Sequence, residues 1–263
     1  MLDRVFKVLP YLFGLLIGWI MISPPQWMAP LGAWRFVASF LLGILLWVAT
    51  TGFHIVASIP EDLKLEPVPD FPLDGELGLF AGHLRNLGFI QAGPPRRLTL
   101  RPAAMLVPFV HEREPVYANV AQIGTVPSVV SFEMFSYMEG RRGGLLSINQ
   151  WAGAVFPLSP GRFVQVIPMA APAQVFAAHQ TALAEMKARG VAWQPVSPDR
   201  LEEDYLSSYA RQRRLIRSNP VRVTLTVLWR VLRKTTPHLG PVQNQPETER
   251  RIREALMVGQ TAY

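Results

Sequence analysis

Two groups of residues in this chain invite a chemical reading. The first is the histidines, His54, His83, His111, His179 and His238, which are spread along the whole length. Metal sites on helices place His or carboxylate ligands three or four residues apart, and no such pair occurs among them. His111-Glu112-Arg113-Glu114 departs from His-Glu-x-x-His and reads as a charged turn between strands. The remaining route to metal or acid–base chemistry is a site assembled in space from His83, His111 and His179. With no cysteine there is no thiol nucleophile. There is no Gly-x-Ser-x-Gly elbow, and the Gly140–Gly144 run lacks the Gly-Lys-Ser/Thr of a phosphate loop. No catalytic, cofactor-binding or metal-binding residue is assigned on this basis, and no cofactor is expected.

The second group is basic. Residues 205–235 hold eight Lys and Arg and no acid, whereas residues 60–204 hold 12 basic and 15 acidic groups, so the formal charge of +7 is concentrated in one stretch. Within it, Arg211, Arg213, Arg214 and Arg217 lead into a helix that Asn219 can cap and Pro220 can start. Arg222, Thr226, Arg230 and Arg233 then share one face, and Val221, Leu225, Leu228, Trp229 and Leu232 share another, with Lys234 just beyond. A basic amphipathic helix carrying a Trp is the pattern of an element lying on an anionic leaflet, where each cation contributes about 1 kcal/mol. The competing readings are a helix docked on the domain with its charges solvated, or contact with an acidic partner. Nucleic acid is not expected, because no binding module or aromatic platform accompanies the charge.

The elements that must carry these residues begin with two apolar segments, Val5–Ser23 and Phe36–Ile59. A hydrocarbon core needs about 20 apolar residues of helix. The prolines between the segments cannot continue a helix, so the two read as an antiparallel transmembrane hairpin with Trp19, Trp27 and Trp34 at its loop end. Arg4 and Lys7 precede the first span, and Lys64, Arg85, Arg96 and Arg97 follow the second, while the connecting loop has no cation until Arg35. The positive-inside rule then places both termini and the soluble body in the cytoplasm of a multi-pass membrane protein. Gly14 with Gly18, and Ser39 with Gly43, are small-xxx-small pairs that let helices approach closely.

Beyond the hairpin (1–59) comes a Pro-rich strap (60–72), then a cytoplasmic α+β domain (73–200), then a helical basic extension and tail (201–263). The domain opens with a helix from Leu73-Asp74 to about Leu87, marked by Leu77, Phe80, Leu84 and Leu87 and stopped by Gly88. Six strands follow over 97–100, 104–110, 116–123, 128–138, 145–151 and 163–167. A turn at Glu139–Gly144 joins the fourth to the fifth. A helix over Pro172–Arg189 and another after Ser197-Pro198-Asp199 complete the domain. Hairpin-length links predict an antiparallel sheet with flanking helices. The expected function is that of a membrane-anchored, non-enzymatic protein whose cytoplasmic domain binds a partner protein or serves as an accessory subunit of a membrane complex. The alternative is an enzyme acting on a lipid or membrane-proximal substrate, which would need a pocket of convergent polar groups.

Overall fold

A computed structural model describes residues 34–100, 103–123, 130–141, 143–150, 157–159, 161–233 and 238–258. The first apolar segment, with Gly14 and Gly18, lies outside the described residues, as does Lys234. The second segment is helix α1 (Trp34–Ser58). Its window Leu41–Ser58 has a mean hydropathy of 1.8 and is long and apolar enough to cross a membrane. Most of that window is uncovered by the rest of the protein, and Val37, Leu41, Leu45, Trp47 and Phe53 are exposed on α1.

The body is α+β, built on a mixed sheet of eight strands. These are β1 (Leu65–Pro67), β2 (Phe89–Gln91), β3 (Arg96–Leu98), β4 (Ala104–His111), β5 (Tyr117–Ile123), β6 (Val130–Tyr137), β7 (Gly144–Ile148) and β8 (Arg162–Val166). The order is β1-β3-β4-β5-β6-β7-β8, with β2 and β3 sharing one edge of β4. The strap expected over 60–72 contributes β1 as an edge strand, and Pro67, which has no N–H for a ladder, sits at its end.

One expectation about the sheet is corrected. β7 and β8 run parallel, Gly144 opposite Arg162 and Ile148 opposite Val166, whereas the other pairs are antiparallel. β7 stops at Ile148, three residues before its expected end. Residues 149–161 are therefore long enough to return the chain to the other end of the sheet, which a parallel neighbour requires.

Period-2 alternation sorts the strand residues onto two faces. One face carries Val107, Phe109, Ala118, Val120, Phe132, Met134, Leu145 and Phe163. It is covered by α2 (Gly75–Asn86), α3 (Pro172–Ala188) and α6 (Thr248–Val258), through Leu77, Leu84, Val175, Met186, Ile252 and Ala255 among others. The other carries Leu98, Leu106, Tyr117, Phe135, Tyr137, Leu146 and Val164, and is covered by α4 (Leu201–Ser218) through Leu201 and Tyr205. Each large apolar side chain sealed here contributes about 1.5–3 kcal/mol. α2 and α3 are followed by Gly88 (φ 87°) and Gly190 (φ 88°), left-handed positions that end a helix at little cost for glycine. The boundary expected at 200 falls just before α4, and Leu201, Tyr205, Val242, Ile252 and Ala255 beyond it belong to the same two core layers.

Candidate functional site

α5 (Pro220–Leu232) lies against α1. Ile55 of α1 and Ile59 just past its end form a buried cluster with Ile216 near the end of α4 and with Val223 and Val227 of α5. Gly52 is the close-approach point, since a Cβ there would lie 2.8 Å from Thr224 Oγ1. The apolar side of α5 is thereby divided. Val223, Thr224, Val227 and Leu228 are buried, while Val221, Leu225 and Trp229 form an exposed stripe at four-residue steps, with Trp229 56% exposed. The Arg233 guanidinium lies 3.8 Å from the centre of the Trp229 ring, a cation–π contact that keeps a charge beside an apolar ring.

The basic residues singled out by their spacing go to different places. Arg213 donates to the Pro60 and Glu61 carbonyl oxygens at 2.9 and 2.6 Å, and Arg217 pairs with the Glu61 carboxylate. Together they staple α4 to the chain leaving α1. The Arg217 guanidinium holds the Glu61 carboxyl below the usual carboxylate range. Arg211 lines a cleft described below. Arg214, Arg222 and Arg233 are exposed. Arg230 is partly buried near Arg251 and Glu247, and burial lowers its pKa. Gly43 is buried within α1; Ser39 lies on the same helix.

Next to this junction, α4 and the sheet form an open cleft of about 40 Å3. Its floor follows from register. Tyr137, Gly144 and Arg162 are cross-strand neighbours on three successive strands and share a face. Gly144 puts no side chain between the other two, and a Cβ there would meet the Ser136 carbonyl oxygen at 2.4 Å. α4 supplies the roof with Tyr205, Ser208, Tyr209 and Arg211, and Ser159 comes from the β7–β8 link. An aromatic row ties roof to floor. Phe135 contacts Tyr117, Tyr137 and Tyr205 at centroid distances of 5.3, 5.6 and 5.5 Å, and Tyr205 contacts Tyr209 at 5.2 Å. Glu133, at the inner end, accepts from Tyr205 Oη (2.7 Å) and Asn119 Nδ2 (2.9 Å). Burial pushes the Tyr117 and Tyr209 phenols up to about 12, and burial with the Glu133 charge raises Tyr205. All three stay neutral near pH 7 and can act as hydrogen-bond donors.

On the opposite face, His179 of α3 is fully buried and is bonded at both ring nitrogens. The proton positions can be worked out from the ends of the chain of bonds. Ser136 donates its one proton to the Pro115 carbonyl oxygen (2.5 Å), so it must accept from His179 Nε2 (2.9 Å). Ser147 accepts from Gln165 Nε2 (2.7 Å), so its proton goes to His179 Nδ1 (2.6 Å). Gln165 Oε1 accepts from the Val242 N–H (3.1 Å). The ring is neutral with its proton on Nε2, and burial depresses its pKa to about 3. These serines and this histidine stand as a nucleophile and base would, but Ser136, Ser147 and His179 are at most 1% exposed. No substrate reaches them, and the network's work is to satisfy buried polar groups.

His111 has a similarly local role. Its Nδ1 accepts from the Arg113 and Glu114 N–H groups, and its Nε2 bonds the Leu87 carbonyl oxygen at 3.0 Å, so it caps the turn read from the sequence. His83 is exposed on α2. The three histidines are not brought together, and among the described residues no group of three or more His, Asp or Glu is placed to hold a metal ion.

The sequence reading missed the cleft. Its available signals were Asn119 and Glu133, polar residues at inward-facing strand positions, and the Tyr205/Tyr209 pair one helical turn apart. Fold and site together define an α+β domain carrying an apolar helix packed on its own C-terminal helices. No protein-family model, no curated protein and no solved structure matches this chain.

Proposed function

We propose that this protein is a membrane-anchored, non-enzymatic binding protein: its two N-terminal apolar segments cross the bilayer as a hairpin, both termini and the α+β domain are cytoplasmic, and the domain serves a membrane complex as an accessory subunit. The observation that carries this reading is the packing of α5 on α1. A domain on a flexible tether would leave the foot of its anchor free. Here Ile55, Ile59, Ile216, Val223 and Val227 close over that foot, and Arg213 and Arg217 grip the chain leaving it. The body is held at a set height and tilt, as suits a subunit that presents one face to neighbours in the membrane plane. Val221, Leu225 and Trp229 form an exposed stripe on α5 flanked by Arg222 and Arg233, and α1 exposes apolar side chains of its own. The stripe's chemistry matches the interface of an anionic leaflet, with apolar groups toward the acyl chains and cations at the phosphates.

The sealed Ser–His contacts favour binding over catalysis. Enzymatic action on a lipid remains the second reading, because the open cleft lies beside the anchor.

Topology is the direct test. The chain has no cysteine, so single introduced thiols can be mapped without background. Gln26→Cys should react with an impermeant maleimide from outside intact cells, and Asp199→Cys only after permeabilisation. Labelling of both from the same side would rule out the hairpin. Purification in mild detergent should then recover a stoichiometric membrane partner.

A further inference from the structure

The cleft between α4 and the sheet plays no part in anchoring, and its chemistry is selective. Tyr137, Gly144 and Arg162 line it side by side on three successive strands. Arg162 makes no hydrogen bond or ion pair through its side chain among the described residues. Arg211 lines the same cleft from α4. Ser159 and Ser208 add hydroxyl donors at the rim. The one acid lining the cleft, Glu133, accepts from Asn119 and Tyr205 through Oε1, and the two cations outnumber it. Two arginines lining one cleft together with two serine hydroxyls fit a compact tetrahedral anion with several acceptor oxygens.

We propose that this cleft binds a phosphate ester, with the Arg162 and Arg211 guanidiniums on the phosphoryl oxygens and the Ser208 hydroxyl as a further donor. Position indicates the source. Tyr209 packs both against the aromatic row of the cleft and against the cluster around Ile55 and Ile59 at the foot of α1. Arg213, two residues past Arg211, grips Pro60 and Glu61 where the chain leaves that helix. Tyr209 thus joins the cleft to the end of the anchor, where on the membrane reading a leaflet's phosphates would lie. The lipid source rests on the membrane reading above; the anion site itself does not.

The test uses the purified full-length protein in a neutral detergent, with two arms. In the first, glycerol phosphate and inorganic phosphate are titrated and followed by calorimetry. In the second, phosphatidylglycerol and phosphatidylcholine are added and retained lipid is counted by native mass spectrometry. The expected result is one phosphatidylglycerol per protein, retained in preference to phosphatidylcholine. Arg162→Gln and Arg211→Gln should each weaken binding about tenfold, the loss of one charge-assisted contact, and Arg162→Lys should weaken it less. Glu133→Gln, which removes the opposing charge, should tighten binding, and a merely structural cleft would not show this. Binding of the soluble phosphates with the same arginine dependence, but without lipid retention, supports the site and assigns it to a free ester. Binding in neither arm, or undiminished binding by folded Gln variants, or no tightening by Glu133→Gln, overturns the proposal.

Discussion

His179 offers the sharpest physical test of the fold, through its pH dependence. Its folded pKa, about 3, lies below the ordinary 6.5 because burial penalises the charged ring. As pH falls, the unfolded chain takes up a proton that the folded chain cannot accept. The stability His179 confers is thus complete above about pH 6.5 and is lost progressively between pH 6.5 and 3. Integration of the proton difference from pH 7.5 to 5 gives a loss of about 2 kcal/mol from this one group. His179→Gln removes the titration. At pH 7.5 it also breaks the bonds to Ser136 and Ser147 and strands the Ser147 hydroxyl in a fully buried site, a cost of about 3 kcal/mol. The gap between wild type and variant should therefore shrink from about 3 kcal/mol at pH 7.5 to about 1 kcal/mol at pH 5. Urea unfolding of the full chain in a mild detergent, followed by circular dichroism at both pH values, measures it. His238, depressed to about 4 by burial and by Arg251 and Arg230, titrates in the same direction in both proteins and cancels in the comparison. A gap that stays constant across the pH range would refute the buried neutral ring.

Gly52→Ala places a methyl 2.8 Å from Thr224 Oγ1 and should cost about 1–3 kcal/mol through the α1–α5 contact. Thr224→Ala in the same chain should recover most of that loss, which a double-mutant cycle of unfolding free energies would show. A soluble fragment of residues 60–200 should aggregate on expression, because it exposes the surface that Leu201, Tyr205, Ile252 and Ala255 cover; monodispersity on gel filtration is the readout. Arg222→Gln with Arg233→Gln should lower the protein's partition to anionic over neutral vesicles in flotation assays, and the wild-type preference should fade as salt rises.

Much of the secondary structure is legible in the sequence, because it is written in local terms. Alternation of apolar residues marks six of the strands to within a few positions, and Gly88, Pro172 and Gly190 bracket helices by their own backbone limits. Short β1 and β2 escape notice, since three residues carry too little periodicity to register. The concentration of positive charge in 205–235, the apolar length of α1 and the absence of cysteine chemistry are also properties of the chain alone.

What tertiary structure decides is which faces meet. One stretch of arginines reads as a single basic surface, yet folding sends Arg211 into the cleft, Arg213 and Arg217 to the foot of α1, and Arg230 toward Arg251. Helical spacing orders side chains around an axis but does not say what stands opposite each one. The parallel β7–β8 pair has the same origin, since strand direction depends on where residues 149–161 return the chain. His179 is one residue among many on a helix until Ser136 and Ser147 arrive from strands 43 and 32 positions away. Gly144 becomes the floor of a cleft only because Tyr137 and Arg162 are its neighbours in register. Period and propensity act over a few residues, whereas register and face-to-face packing are set by contacts between segments distant in the chain, and the candidate site is made of those contacts.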